Sequence, residues 1–193
     1  GASVAAGLAP IGIAFMAASK QANTLQNQYL TIRNLMQTGG DSASLSRREQ
    51  RIMQSRNRML SDEYGVSQEE LAKGSEGLIR RNYSGKQEIA SHPYFLQAAL
   101  ASGDSYSDVV NYGAPVLEGF GYKNKAKDSR KKMAEYTKKV LNQMAYVSDL
   151  SATDFSGMGN AMNMTAQTAH SNKLGLSETL AALGVESNNG LDG

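Results

Sequence analysis

The side chains able to do chemistry in this chain are few and widely spaced. His92 and His170 lie far apart, and neither is expected to share a metal site with the other or with an acidic residue. No HExxH pair, glycine-rich phosphate loop or nucleophile elbow occurs, so both histidines read as surface or packing residues. The absence of cysteine removes disulfides, Cys-ligated zinc and thiol nucleophiles, and is compatible with synthesis in the cytoplasm. One carboxylate is left to weigh, Glu186, which directly precedes Ser187. A single glutamate can protonate a glycosidic oxygen when a partly apolar cleft raises its pKa. Only seven residues follow Glu186, too few to build such a cleft around it. Glu186 is therefore expected in a polar loop between helices. No catalytic, metal or cofactor site is expected.

The charged residues offer binding rather than catalysis. Lys123, Lys125, Lys127, Arg130, Lys131, Lys132, Lys138 and Lys139 crowd one segment, against only Asp128 and Glu135. Residues 148–193 reverse the sign, with Lys173 against Asp149, Asp154, Glu178, Glu186 and Asp192. The net charge of +2 hides this contrast, and neighbouring segments of opposite sign can attract each other or sort partners. Arg47, Arg51 and Arg58 also fall within about 40° on a helical wheel. No groove-reading motif and no interleaved stacking aromatics accompany these charges, so specific nucleic-acid recognition is not expected. A solvated face, or one that meets an acidic protein surface, is the commoner meaning of such a run. Contact with phosphate backbones remains an alternative, as does a muralytic enzyme. Lytic transglycosylases also carry a Glu-Ser pair at a helix end, which Glu186-Ser187 resembles in that respect alone.

The elements that must position these groups read as helices. Ile11, Phe15, Ala18, Ala22, Leu25, Tyr29, Ile32 and Met36 follow at alternating spacings of four and three, a heptad seam able to hold a partner helix. Pro10 suits a first turn, so one helix is expected over residues 10–37, ended by Gly39-Gly40. Ser46-x-x-Glu49 and Ser67-x-x-Glu70 have the form of capping boxes, with Gly65 making a tight corner between their helices. Tyr83-Ser84-Gly85 should break the second. Ser91-His92-Pro93 should open another, and Asp104 or Ser105 the next, interrupted by Gly113 and Pro115. A single long helix is expected over 124–149, with Met133, Tyr136, Val140, Leu141, Met144 and Val147 on its apolar stripe. Asp154 or Thr153 should open the last large helix. No convincing alternating strand occurs. The expected class is all-α, six to eight helices joined by Gly- and Ser-capped turns.

Residues 2–18 are apolar and uncharged, yet they lack a basic leader and fall short of the ~20 residues a bilayer span needs. They read as packing surface. The chain lacks an initiator Met and is expected to be a processed or excised piece. Residues 1–40 are expected to form an N-terminal heptad helix and 41–193 a helical core that continues further. Nine methionines suit an irregular helical core, or one that must deform.

A family likeness emerges from the junctions. The Ala- and Met-rich stretch from Met158 to Lys173 leads to Leu174-Gly175-Leu176-Ser177-Glu178, then to Leu183-Gly184 and Asn189-Gly190-Leu191-Asp192-Gly193. Upstream stand Gly65-Val66-Ser67-Gln68-Glu69-Glu70-Leu71-Ala72 and the turn LIRRNYSG, Leu78 through Gly85. This order resembles the core region of the tail tape measure proteins of long-tailed phages and prophages, over roughly residues 20–193. The Lys-dense segment at 123–139 departs from it. The resemblance implies a long helical parent in the tail-tube lumen whose length sets the number of tube rings. That parent would be made in the bacterial cytoplasm and leave the tube ahead of the genome. It also implies partners: further copies of itself through the heptad seam, tail-tube and tail-tip or assembly proteins, and transient contact with the host envelope.

Overall fold

The computed structural model describes the backbone of residues 5–190 and the side chains of residues 18–190. Every regular element among the described residues is helical. In chain order they are α1 (Ala5–Thr38), α2 (Ala43–Tyr64), α3 (Gln68–Arg80), α4 (Gly85–Ser102), α5 (Tyr106–Gly119), α6 (Tyr122–Ala126), α7 (Arg130–Asp149), α8 (Phe155–Ser171) and α9 (Leu176–Asn188). The all-α expectation holds. The count is nine among the described residues rather than six to eight, because one expected helix is two.

That split falls inside the segment expected as a single helix over 124–149. Lys127 adopts φ 46° and ψ −127°, which no helical residue can hold. Gln87 fixes the break by donating its side-chain amide to the carbonyls of Lys123 and Lys127, at 3.1 and 2.9 Å. Ser129 then caps α7 by accepting from the Lys132 N–H at 3.3 Å.

Other boundaries move for comparable reasons. α1 starts at Ala5, ahead of Pro10. Ser46 does not open α2: Ser42 caps it, accepting from the Leu45 N–H at 3.2 Å, while Ser46 and Glu49 are buried within the helix. Ser67 does cap α3, as expected, and Gly65 ends α2 in the left-handed conformation at φ 71° that favours glycine. Pro93 does not begin a helix but lies inside α4, which Ser84 and Gln87 open with a reciprocal capping box. α5 likewise runs unbroken through Gly113 and Pro115. Asp154 caps α8, and α9 is entered through Gly175 rather than Ser177, with the Glu178 carboxylate accepting from the Gly175 N–H at 2.6 Å.

Two apolar clusters hold these helices. The larger joins α3 through α9 around Phe95, Leu117, Met133, Leu141, Met144 and Met162, each essentially solvent-free. Its tightest pairings are α4 on α7 and α5 on α8. The smaller joins α1, α2 and α3 through Tyr29, Ile32, Met36, Met53, Ala72 and Ile79. Thus Tyr29, Ile32 and Met36 of the heptad seam are buried within their own chain, Leu25 is half-buried, and Ala18 and Ala22 are exposed. The side chains of Ile11 and Phe15 lie outside the described residues. No helix among the described residues is long and apolar enough to cross a membrane.

Candidate functional site

Where the two apolar clusters meet, a chain of buried polar groups crosses from one to the other. Asn57 donates its amide to the Tyr29 hydroxyl at 2.8 Å, joining α2 to α1. The neighbouring Arg56 guanidinium donates to Asn57 Oδ1 at 3.0 and 3.2 Å and to both Glu88 oxygens at 2.8 and 3.1 Å. Glu88 sits one turn before His92 on α4, and its Oε1 lies 3.2 Å from His92 Nδ1. The same Nδ1 meets the Tyr106 hydroxyl of α5 at 2.6 Å. Ser75 of α3, near Arg56, closes the set. Helices α1 to α5 all contribute.

Each ionisation state follows from these contacts. Burial alone would raise the Glu88 carboxyl, but Arg56 and the His92 hydrogen bond outweigh it and hold Glu88 well below the usual carboxylate range. His92 is pulled down to about 4, first by burial and then by Arg56, against the opposing pull of Glu88. It is neutral at pH 7. Its Nε2 is buried without a partner while Nδ1 faces a carboxylate, so the proton belongs on Nδ1. Burial likewise pushes the Tyr29 phenol up to about 12 and the Tyr106 phenol well above its ordinary value. An acid, an imidazole and a phenol in line look like a proton relay. Glu88 and His92 are fully buried, however, and no member of the chain lines the surface clefts described below. Its contacts tie α1 to α5 together, and the arrangement acts as a positional lock between helices.

Sequence reading missed this lock, although a signal was present. Taking Pro93 as a helix start hid that Glu88, Ser91, His92, Phe95, Leu96 and Ala99 form one buried stripe on a continuous α4. Arg56 stands one residue before Asn57 on α2, whereas Arg47, Arg51 and Arg58 are exposed as their shared wheel position implies.

A second carboxylate is buried with less support. Glu49 is 1 % exposed, and neither of its oxygens has a hydrogen-bond partner. It lies against Gly85 at the start of α4, where a β-carbon would collide with its carboxyl group. Burial pushes Glu49 up to about 7, Asp41 adds to this, and Arg130 and Lys86 oppose it.

The basic segment divides once the chain folds. Lys123 turns inward, donating to the Arg81 carbonyl at 2.6 Å and lying 4.8 Å over the Tyr83 ring. Lys125 and Lys139 lie 5.5 and 5.7 Å over Tyr122, whose ring stacks on Tyr136 at 4.9 Å. Lys127, Arg130, Lys131, Lys132 and Lys138 are exposed, and none of the eight takes part in an ion pair among the described residues. The placement of Arg130, Lys131 and Lys132 runs against the helix dipole. They occupy the first turn of α7, which has no acidic residue, while the last turn has no basic one and carries Asp149. Each such placement is unfavourable by about 0.3–1 kcal/mol. Residues far away in sequence join this end: His170 and Lys173 line a cleft of about 370 Å³ with Lys125, Phe120 and Tyr122. At the far end of α8, Asp154 lines a cleft of about 290 Å³ with Asp104 and Asp149. Glu186 is exposed on the last turn of α9, without the apolar surroundings that an acid catalyst needs. No group of three or more potential metal ligands forms among the described residues.

The family model for phage-related minor tail proteins matches residues 54–193. The chain belongs to that family. It is a phage tail protein, with a helical structural body in which the matched region begins inside α2 and runs through α9. Arg56, Glu88, His92 and Tyr106 lie inside the matched region, whereas Tyr29 reaches the lock from α1, outside it. No curated protein and no solved structure gives a significant match to this minor tail protein.

Proposed function

We propose that this minor tail protein is the core region of a tail tape measure protein, a structural piece of the polypeptide that templates tube length and leaves during genome ejection. The observation that carries the reading is the family match over residues 54–193, taken with the order of junction motifs from Gly65 to Gly193. The helical build supports it, because an extended helix converts residue count to distance at ~1.5 Å per residue. A compact bundle cannot itself be that ruler. Its job in this reading is to anchor the parent near one end of the tail, with several copies assembling through the part of the heptad seam left outside the apolar cluster. Ala18 and Ala22 stand exposed on that stretch of α1.

The test is an in-frame deletion of residues 54–193 from the parent in the phage, with tails measured by electron microscopy. An anchor predicts loss of tails or tubes of uncontrolled length. A ruler segment would instead shorten every tail by a constant amount, and infectious tails of normal length would sink the reading altogether. Assembly through the seam is tested separately by sedimentation. Phe15→Asp should reduce the oligomer to a monomer, and an unchanged distribution would count against it.

A further inference from the structure

The folded bundle is electrically polarised along its length. The first turn of α4 is tied to the α6–α7 break by Gln87, and the last turn of α4 shares a cleft with Ala145, Ser148 and Asp149 of α7. Helices α4 and α7 therefore run parallel, and α8 runs against them, with Asp154 at one end and His170 at the other. One end of the bundle gathers Lys125, Arg130, Lys131, Lys132, His170 and Lys173, with a cleft of about 370 Å³ that has no acidic lining residue. The opposite end presents Asp104, Asp149 and Asp154 around the carboxyl ends of α4 and α7. The 20 residues of α7 hold these ends ~30 Å apart. Charges in solution are screened within about 8 Å at physiological salt, so the two ends cannot neutralise each other in one molecule.

We propose that the cationic end docks the acidic end of a second copy of this chain, head to tail. Charge complementarity selects that occupant. Two different patches at opposite ends make a heterologous contact, which extends into a row rather than closing as a two-fold dimer. A nucleic acid fits less well. The Tyr122 ring already packs with Lys125, Lys139 and Tyr136, and Phe120 is buried, so neither offers a free face for a base. The unfavourable dipole placement on α7 also gains a reason, since the charges that cost stability in the monomer are those the contact uses. The contact is independent of the heptad seam and goes beyond the tape measure reading.

The experiment is sedimentation velocity of the full chain at about 50 mM and about 500 mM salt, where screening separates the two cases. Association should grow with protein concentration at low salt and vanish at high salt. Seam-driven oligomers would survive salt and disappear with Phe15→Asp. Lys131→Glu with Lys132→Glu, and separately Asp104→Lys with Asp149→Lys, should each weaken self-association by about tenfold or more. Mixing the two double variants should restore the row, because the first presents two acidic ends and the second two cationic ones. All four substitutions in one chain should restore the row, which also shows that the altered chains fold. The proposal is overturned if the double variants associate like the parent chain, if their mixture stays monomeric or the four-fold variant does not associate, or if the parent chain binds a DNA duplex at low salt without self-associating.

Discussion

Arg56 on α2 grips both oxygens of Glu88 on α4, at 2.8 and 3.1 Å, across 32 residues of chain. The Glu88 side chain is fully buried and that of Arg56 is 10 % exposed, so neither charge has water to fall back on. Removing one partner leaves the other charge stranded in the protein interior. Arg56→Leu and Glu88→Gln are each expected to cost about 3–5 kcal/mol in urea unfolding. Arg56→Leu combined with Glu88→Gln should cost clearly less than their sum. Additive single effects would show that the pair acts as two separate contacts.

The pH dependence of stability has two limbs of opposite sign. His92 falls from 6.5 to about 4 on folding, so between those values the unfolded chain binds the extra proton. Stability from this group is complete above pH 6.5 and is lost as the pH falls toward 4. His92→Gln should flatten that acid limb in denaturant titrations, even though it loses packing at pH 7.

Glu49 works the other way. Its carboxyl rises from 4.5 to about 7 on folding, so between those values the folded chain holds the extra proton. The contribution is complete below 4.5 and is lost as the pH rises through 7. Glu49→Gln keeps the shape without the ionisation. It should raise stability by roughly 2 kcal/mol at pH 8 and change little at pH 4. Equal effects at both pH values would mean that Glu49 is not buried as described.

Gly74 lies in the interior of α3, where alanine would ordinarily be favoured by ~1 kcal/mol. The Tyr106 ring crosses that position so closely that a β-carbon would overlap it. The same ring carries the hydroxyl that meets His92. Gly74→Ala is therefore expected to destabilise by about 1–3 kcal/mol, seen as a lower Tm, despite its better helix propensity. A higher Tm would show that Tyr106 can move aside without loss.

Lys127 holds φ 46° and ψ −127°, a conformation that a side chain resists by about 1–3 kcal/mol. Its carbonyl, not its side chain, makes the contact with Gln87. Lys127→Gly should therefore raise stability by about 1 kcal/mol, after allowing for the greater freedom of glycine in the unfolded chain. Loss of stability on this substitution would place the value of Lys127 in its amine.

Local rules carried much of this fold in the sequence. The all-α class, the cap at Ser67, the caps at Ser105 and Asp154 to within one residue, and the corner at Gly65 are all legible because a cap or a left-handed glycine acts within a few residues. The junction motifs point to a phage tail as well. What local rules could not weigh was packing. Pro93 and Pro115 remain inside helices, a backbone penalty that burying Phe95, Leu96, Val116 and Leu117 offsets. The break at Lys127 depends on Gln87, 40 residues earlier.

The lock and the charge polarity belong wholly to the tertiary level. Arg56, Glu88 and Tyr106 look like ordinary polar residues until α2, α4 and α5 exclude water around them. Asp104 meets Asp149 because α4 and α7 run parallel, and Lys125 meets Lys173 because α8 returns antiparallel to α7. Burial and charge summation depend on which segments lie together in space, and hydrophobic period or charge runs along one segment carry no record of that.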